Sequence, residues 1–148
     1  MKQNPIMVYE DVKEKMSWDD FEELANIKHE TLIYTFKEDL KGLSPKTVKR
    51  HLDNIDTFLN FHLVRKCGAD FESSETCIES FFSYTLKYKV LGISKDNAKG
   101  YGATLRKFYK SMAEHGFYPK EDLEETLEDI KMECSFLVEE LDDDDFDL

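Results

Sequence analysis

No apolar run in this chain of 148 residues approaches the ~18 needed to cross a bilayer. The opening stretch, residues 1–16, has no apolar segment followed by a small-residue cleavage site, so no secretory leader is expected. A cytosolic protein, cytoplasmic in location, is the expectation. Glycine occurs 6 times and proline 3 times, and no Gly- or Ser-rich linker and no internal repeat interrupts the chain. Cysteine occurs 3 times, at Cys67, Cys77 and Cys134, with no CxxC pair. An odd count without that spacing reads as reduced, mostly buried thiols rather than a disulfide framework. Apolar and polar residues nowhere alternate for long, which argues against strands.

What is present is core-forming material and charge. Hydrophobic residues make up 41% and aromatics 13%, enough for one domain with a packed interior. The net charge is -12, but it is unevenly placed. Residues 1–30 carry 4 Lys against 8 acids, residues 31–118 carry 14 Lys and Arg against 10 acids, and residues 119–148 carry 2 Lys against 14 acids. A mildly basic middle between acidic ends speaks to the choice of partner.

Helical spacing dominates, and the expected fold class is all-α. A first helical stretch runs from Ser17, its cap, to about Leu40. Its stripe of Trp18, Phe21, Leu24 and Ile27 changes phase near His29, so a break or kink is expected there. Ser44 caps a second helix with Pro45 at its first position; Val48, Leu52, Ile55, Phe58, Leu59 and His62 share its apolar face. A third helix begins near Ser73 or Ser74 and buries Ile78, Phe81, Phe82 and Leu86. Ser94 caps a fourth, striped by Ala98, Tyr101, Leu105, Phe108 and Met112 and ended by Gly116. After Pro119, Leu123, Leu127, Ile130, Cys134, Leu137 and Leu141 form a heptad-like seam on an otherwise acidic helix.

Three segments resemble the N-terminal core-binding, SAM-like domain of tyrosine recombinases, the phage-integrase family. They are LKGLSPKTVKRHLDNIDTFLNFHL, SSETCIESFFSYTL and GISKDNAKGYGATLRKFYKSMAEHGFY. The resemblance covers the stretch from Leu32 to Phe117. It implies a bundle of about four helices that grips duplex DNA, and an origin in a phage or other mobile element. It does not extend to the family's catalytic domain, whose Arg, His-x-x-Arg box and nucleophilic Tyr lie further on. Residues 119–148 contain no Arg, His or Tyr. No catalytic residue is therefore expected, and no enzyme. The expected organisation is an acidic helical segment over 1–30, a core-binding-like domain over 31–118, and an acidic amphipathic helix with tail over 119–148. Gly100 and Gly102 depart from a good helix former, and a bare backbone there suggests a close approach.

The helical wheel supplies a candidate surface independently of the family. Measured from Lys95, Arg106 lies about 20°, Lys99 about 40° and Lys110 about 60° round the fourth helix, opposite its apolar arc. On the second helix Lys46, Arg50 and Thr57 cluster away from the core, with Asp53 beside them. Lys46, Arg50, Lys95, Lys99, Arg106 and Lys110 are the candidate phosphate contacts. Ser44 and Ser94, as caps, and Thr47 and Asn97, early in their helices, are candidates for phosphate or base contacts. An ordinary solvated face is the competing explanation.

Three readings stand for the acidic C-terminal segment. It folds over the basic strip and gates DNA; or it docks on a partner or a second copy through Leu123, Leu127, Ile130, Leu137 and Leu141; or it packs on its own domain. The tip, with Phe146 and Leu148, resembles the partner-recruiting acidic tips of bacterial single-stranded-DNA-binding proteins, against a plain frayed tail. The functional alternative to a DNA module is an acidic interaction protein, or a phage-type inhibitor mimicking DNA charge, that binds a DNA-handling protein. His62, Cys67 and Cys77 fit no usual zinc spacing and lack a fourth ligand, so neither metal nor cofactor is expected.

Overall fold

The computed structural model describes residues 17–146, and among these it is all-α. Helix α1 spans Trp18–Asp39. Helix α2 spans Pro45–Asp56 and continues without a turn into the π-helical Thr57–Cys67. Helix α3 is built from a 3₁₀ segment, Phe71–Cys77, a short α segment, Ile78–Ser80, and the π-helical Phe81–Lys89. Helix α4 spans Lys95–Glu114 and α5 spans Lys120–Phe146.

The local signals act as expected at the helix starts. The Ser17, Ser44 and Ser94 side chains accept the backbone N–H of Asp20, Thr47 and Asn97 at 3.2, 3.2 and 3.1 Å. Each satisfies one orphan donor of a first turn. Gly116 takes a φ of 82° just after α4, a left-handed conformation that side chains resist. α3 starts earlier than its serines suggest, because Asp70 accepts from the Glu72 N–H at 3.1 Å and caps it.

α1 differs from the sequence reading. There is no break at His29, and the helix passes unbroken across residues 30 and 31. Its inward face is Phe21, Ala25, His29, Leu32 and Phe36, while Trp18, Leu24 and Ile27 are exposed. His29 carries the stripe through its change of phase because both ring nitrogens are satisfied. Nδ1–H donates to Asn60 Oδ1 at 2.9 Å, and Nε2 accepts the Phe71 N–H at 3.2 Å. A buried polar group so paired costs little.

The core is an aromatic lattice. Phe108 meets Phe36 and Phe71 edge-on at 5.2 and 5.4 Å, and Tyr109 meets Tyr118 at 4.9 Å. Ile130 and Leu137 of α5 enter this same core. Tyr118 and Thr126 share a hydrogen bond of 2.5 Å that fixes the start of α5. The acidic helix is thus a wall of the bundle. Leu123, Leu127, Ile130, Leu137 and Leu141 face their own domain, so the seam expected to take a partner or a second copy is occupied at home. The side chain of Phe146, and Leu148 altogether, lie outside the described residues.

Three buried histidines make stability sensitive to acid. Burial is the largest influence on His29, His51 and His62 and lowers all three below the usual imidazole range. A group with a depressed folded pKa contributes stability that is complete above its unfolded value and is lost as pH falls. The thermal midpoint should therefore drop in the window just below about pH 6.5 at constant ionic strength. Glu75 and Glu133, raised chiefly by burial, oppose this only as they take up protons at lower pH. A flat profile across that window would contradict the assignment.

Candidate nucleic-acid interface

α4 is the middle ridge of the candidate surface, packed against α2 on one side and α5 on the other. The α2–α4 seam is polar at its centre. His51 Nδ1–H and Asn54 Nδ2–H both donate to Thr104 Oγ1, at 2.7 and 3.2 Å, and Thr104 donates onward to the Gly100 carbonyl at 3.0 Å. The hydroxyl's capacity is filled, so the network holds the two helices in one register. Burial, and then the charges of Arg50 and Lys107, hold the His51 ring below the usual imidazole range.

The exposed cations of this surface are Lys46 and Arg50 on α2 and Lys99, Arg106, Lys107 and Lys110 on α4. Among the described residues, none of them has a carboxylate partner within 4.0 Å. Some other cations are paired, Lys28 with Asp70 and Glu72, Lys41 with Glu38, Lys49 with Asp53, and Arg65 with Glu22, while Lys37, Lys66, Lys89, Lys120 and Lys131 have no carboxylate partner among the described residues either. The strip is not free of acids along its length. Asp96 and Glu114 are exposed at the two ends of α4, on the same side as Lys107. Lys107 and Lys110, with Asp39 and Glu114, also line a shallow hollow of about 300 Å³ beside the end of α1. Asp39 is held below the usual carboxylate range, chiefly by the Ser111 hydroxyl donating at 2.5 Å and then by His115.

Lys95 does not belong to the unpaired set. α5 runs antiparallel to α4: Cys134 meets Ala98 and Gly102, and eight residues further on Asp142 pairs with Lys95. Glu140 pairs with Lys87 at 2.6 Å. The acidic end of α5 therefore lies at the positive end of the α4 dipole, where carboxylates are favoured. A hollow of about 770 Å³ opens there, lined by Lys87, Ser94, Lys95, Lys99 and Leu141 among others.

The candidate contacts at the helix starts do not converge. Along the α2–α4 seam the order is reversed, His51 meeting Thr104 and Asn54 lying nearest Gly100. Ser44 and Thr47 thus sit toward one end of the ridge, and Ser94 and Asn97 at the other. Ser44 and Thr47 are also bonded to each other through their hydroxyls at 2.9 Å. Lys107 and Lys87 were missed by the sequence reading. Lys107 lies about 120° from Lys95 on the wheel, just beyond the strip. Lys87 reaches the site from another helix, which no wheel reveals.

Gly102 explains how closely α5 approaches. A Cβ at that position would lie 2.7 Å from Cys134 Sγ and 3.2 Å from its Cβ. Gly100 has no such need, since its nearest neighbour, Asn54 Nδ2, would be 3.9 Å away. Among the described residues, no helix is long and apolar enough to cross a membrane, and no group of three or more His, Cys, Asp or Glu is arranged to hold a metal ion. Comparisons with protein-family models, with curated proteins and with solved structures find no match.

Proposed function

We propose that the chain is a non-catalytic duplex-DNA-binding module that works through the face shared by α2 and α4. The observation that carries this reading is the group of exposed cations, Lys46, Arg50, Lys99, Arg106, Lys107 and Lys110, that have no carboxylate partner among the described residues. Such a row neutralises phosphates and releases their counterions. The resemblance of these same segments to integrase core-binding domains points the same way, toward backbone contacts beside a target site. In this reading Glu140 and Asp142 are stand-ins for phosphate that cover one end of the face through Lys87 and Lys95.

Fluorescence anisotropy of a labelled duplex with the full chain tests the reading. Binding at low salt that weakens steeply as salt rises supports it. No binding at low salt ends it. The joint substitution Glu140→Gln and Asp142→Asn should strengthen binding a few-fold, because these exposed pairs compete only weakly. Truncation at Tyr118 would be a poor substitute, since it strips Ile130 and Leu137 from the core.

A second reading, an acidic module that binds a DNA-handling protein, draws on the outer face of α5. Met132 and Phe136 are exposed there among Glu125, Glu128, Asp129 and Glu139. Two apolar anchors in an acidic surround suit a basic-rimmed partner. Charge reversal at Glu128 and Asp129 would abolish that binding and leave DNA affinity unreduced.

A further inference from the structure

α3 keeps one set of side chains for the core and turns another to solvent. Over Phe81–Lys89 the buried residues are Phe81, Phe82, Thr85 and Leu86. Tyr84 and Tyr88 are left outside, 49% and 64% exposed. Their ring centroids lie 5.7 Å apart with the planes tilted by 55°, so the two rings form one aromatic step on the surface. The step leaves apolar area in water that the fold itself does not use. Tyr109 and Tyr118, by contrast, are buried, with their hydroxyls bonded to Ser74 and Thr126.

Cations are interleaved with these rings. Lys87 Nζ lies 5.2 Å from the Tyr88 ring centroid, and Lys89 Nζ lies 5.5 Å from that of Tyr84. Both distances are within reach of a cation–π attraction. The two lysines are not equivalent. Lys87 is held by Glu140 at 2.6 Å. Lys89 is exposed and has no carboxylate partner among the described residues. Lys87 also lines the hollow at the start of α4, together with Lys95 and Lys99. Asp96 lines it too, and Asp142 pairs with Lys95. The aromatic step and the hollow thus share Lys87, and the hollow shares Lys99 with the cationic face of α4.

We propose that Tyr84 and Tyr88 are a stacking platform for single-stranded DNA, with Lys89 and Lys87 on the flanking phosphates. Bases of a duplex are stacked on one another, whereas those of a single strand have faces free for a ring. Exposed aromatic side chains take such bases with little regard to sequence, and neighbouring cations follow the phosphates. Rings alone would suit an apolar partner, and lysines alone any polyanion. Rings and ammonium groups in alternation match a chain in which bases and phosphates alternate. The Lys89 stem is long and flexible, so a base entering over Tyr84 displaces its ammonium only toward the next phosphate. Glu140 competes with phosphate for Lys87, which makes Lys89 the first contact. The choice of DNA over RNA rests on the duplex-binding reading of the adjoining face; the platform itself does not. In that arrangement a strand leaving a duplex on α4 passes Lys99 and the hollow to reach Tyr88.

The test is fluorescence anisotropy of the full chain at low salt with labelled probes of equal length: an oligothymidylate, the same sugar-phosphate chain without bases, and a blunt duplex. The oligothymidylate should bind on the order of tenfold more tightly than the chain without bases. Tyr84→Ala with Tyr88→Ala should remove that advantage and leave duplex affinity unchanged. Tyr84→Phe with Tyr88→Phe, which keeps the rings, should retain it. Both positions are exposed, so these variants should fold, as circular dichroism would show. Lys89→Gln should weaken both single-stranded probes alike. The proposal is overturned if the oligothymidylate does not bind, if the chain without bases binds as tightly, or if the alanine pair binds like the wild type. A proline-rich peptide that binds the tyrosines where the oligothymidylate does not would also overturn it. Oligothymidylate binding that depends on the rings, without any duplex binding, would support the platform while ending the duplex reading.

Discussion

Reversing Lys99 and Arg106 to Glu together should weaken duplex binding on the order of a hundredfold and flatten its salt dependence by about two contacts. The two side chains lie on the outer face of α4, exposed and, among the described residues, without a carboxylate within 4.0 Å. Neither contributes to the core, so folding should be unaffected and circular dichroism should match the wild type. The control is Lys41 and Lys49, equally exposed but paired with Glu38 and Asp53. Reversing those should change affinity much less. Equal losses from both pairs would mean that only net charge matters and would remove the face from consideration. Arg50 and Lys107 are the next positions to reverse, because both are exposed and lie on the two helices that meet at the His51–Thr104 bond.

Replacing Gly102 by Ala should lower stability by about 1–3 kcal/mol, several degrees in thermal midpoint, even though Ala is the better helix former. In an open helix the change would gain up to about 1 kcal/mol. Here the new Cβ would come within 2.7 Å of Cys134 Sγ. A contact so short forces α5 outward or Cys134 into another rotamer. Adding Cys134→Ala removes the sulfur and should recover most of the loss, an interaction that a double-mutant cycle reads directly. A stabilising Gly102→Ala would show that α5 does not approach α4 as described. The substitution also has a functional signature. If α5 shifts, Asp142 and Glu140 leave Lys95 and Lys87, and DNA affinity should rise while stability falls.

Much of the scaffold is written in short stretches of sequence. Ser17, Ser44 and Ser94 cap the helices they precede, and Pro45 and Gly116 sit where chain geometry favours them. The heptad-like run through Ile130 and Leu137 is a buried face. The cationic strip of α4 follows from angular spacing alone. α1 was harder to read, because His29 looks like an interruption until its partners, Asn60 and Phe71, are known. They lie 31 and 42 positions away, so no local pattern contains them.

The sequence by itself determined that the chain is helical, where most helices begin, and which residues of α4 point outward. Backbone preference and side-chain period act over a few residues, and those features need nothing more. Tertiary structure alone decided that the acidic helix packs at home and that its far end reaches Lys87 and Lys95. It alone brought the Cys67 thiol and the Cys77 carbonyl to the His62 ring. The reason is physical: an amphipathic period fixes which face is buried but not what buries it. That choice depends on contacts such as the Gly102–Cys134 approach, made between residues far apart in the chain.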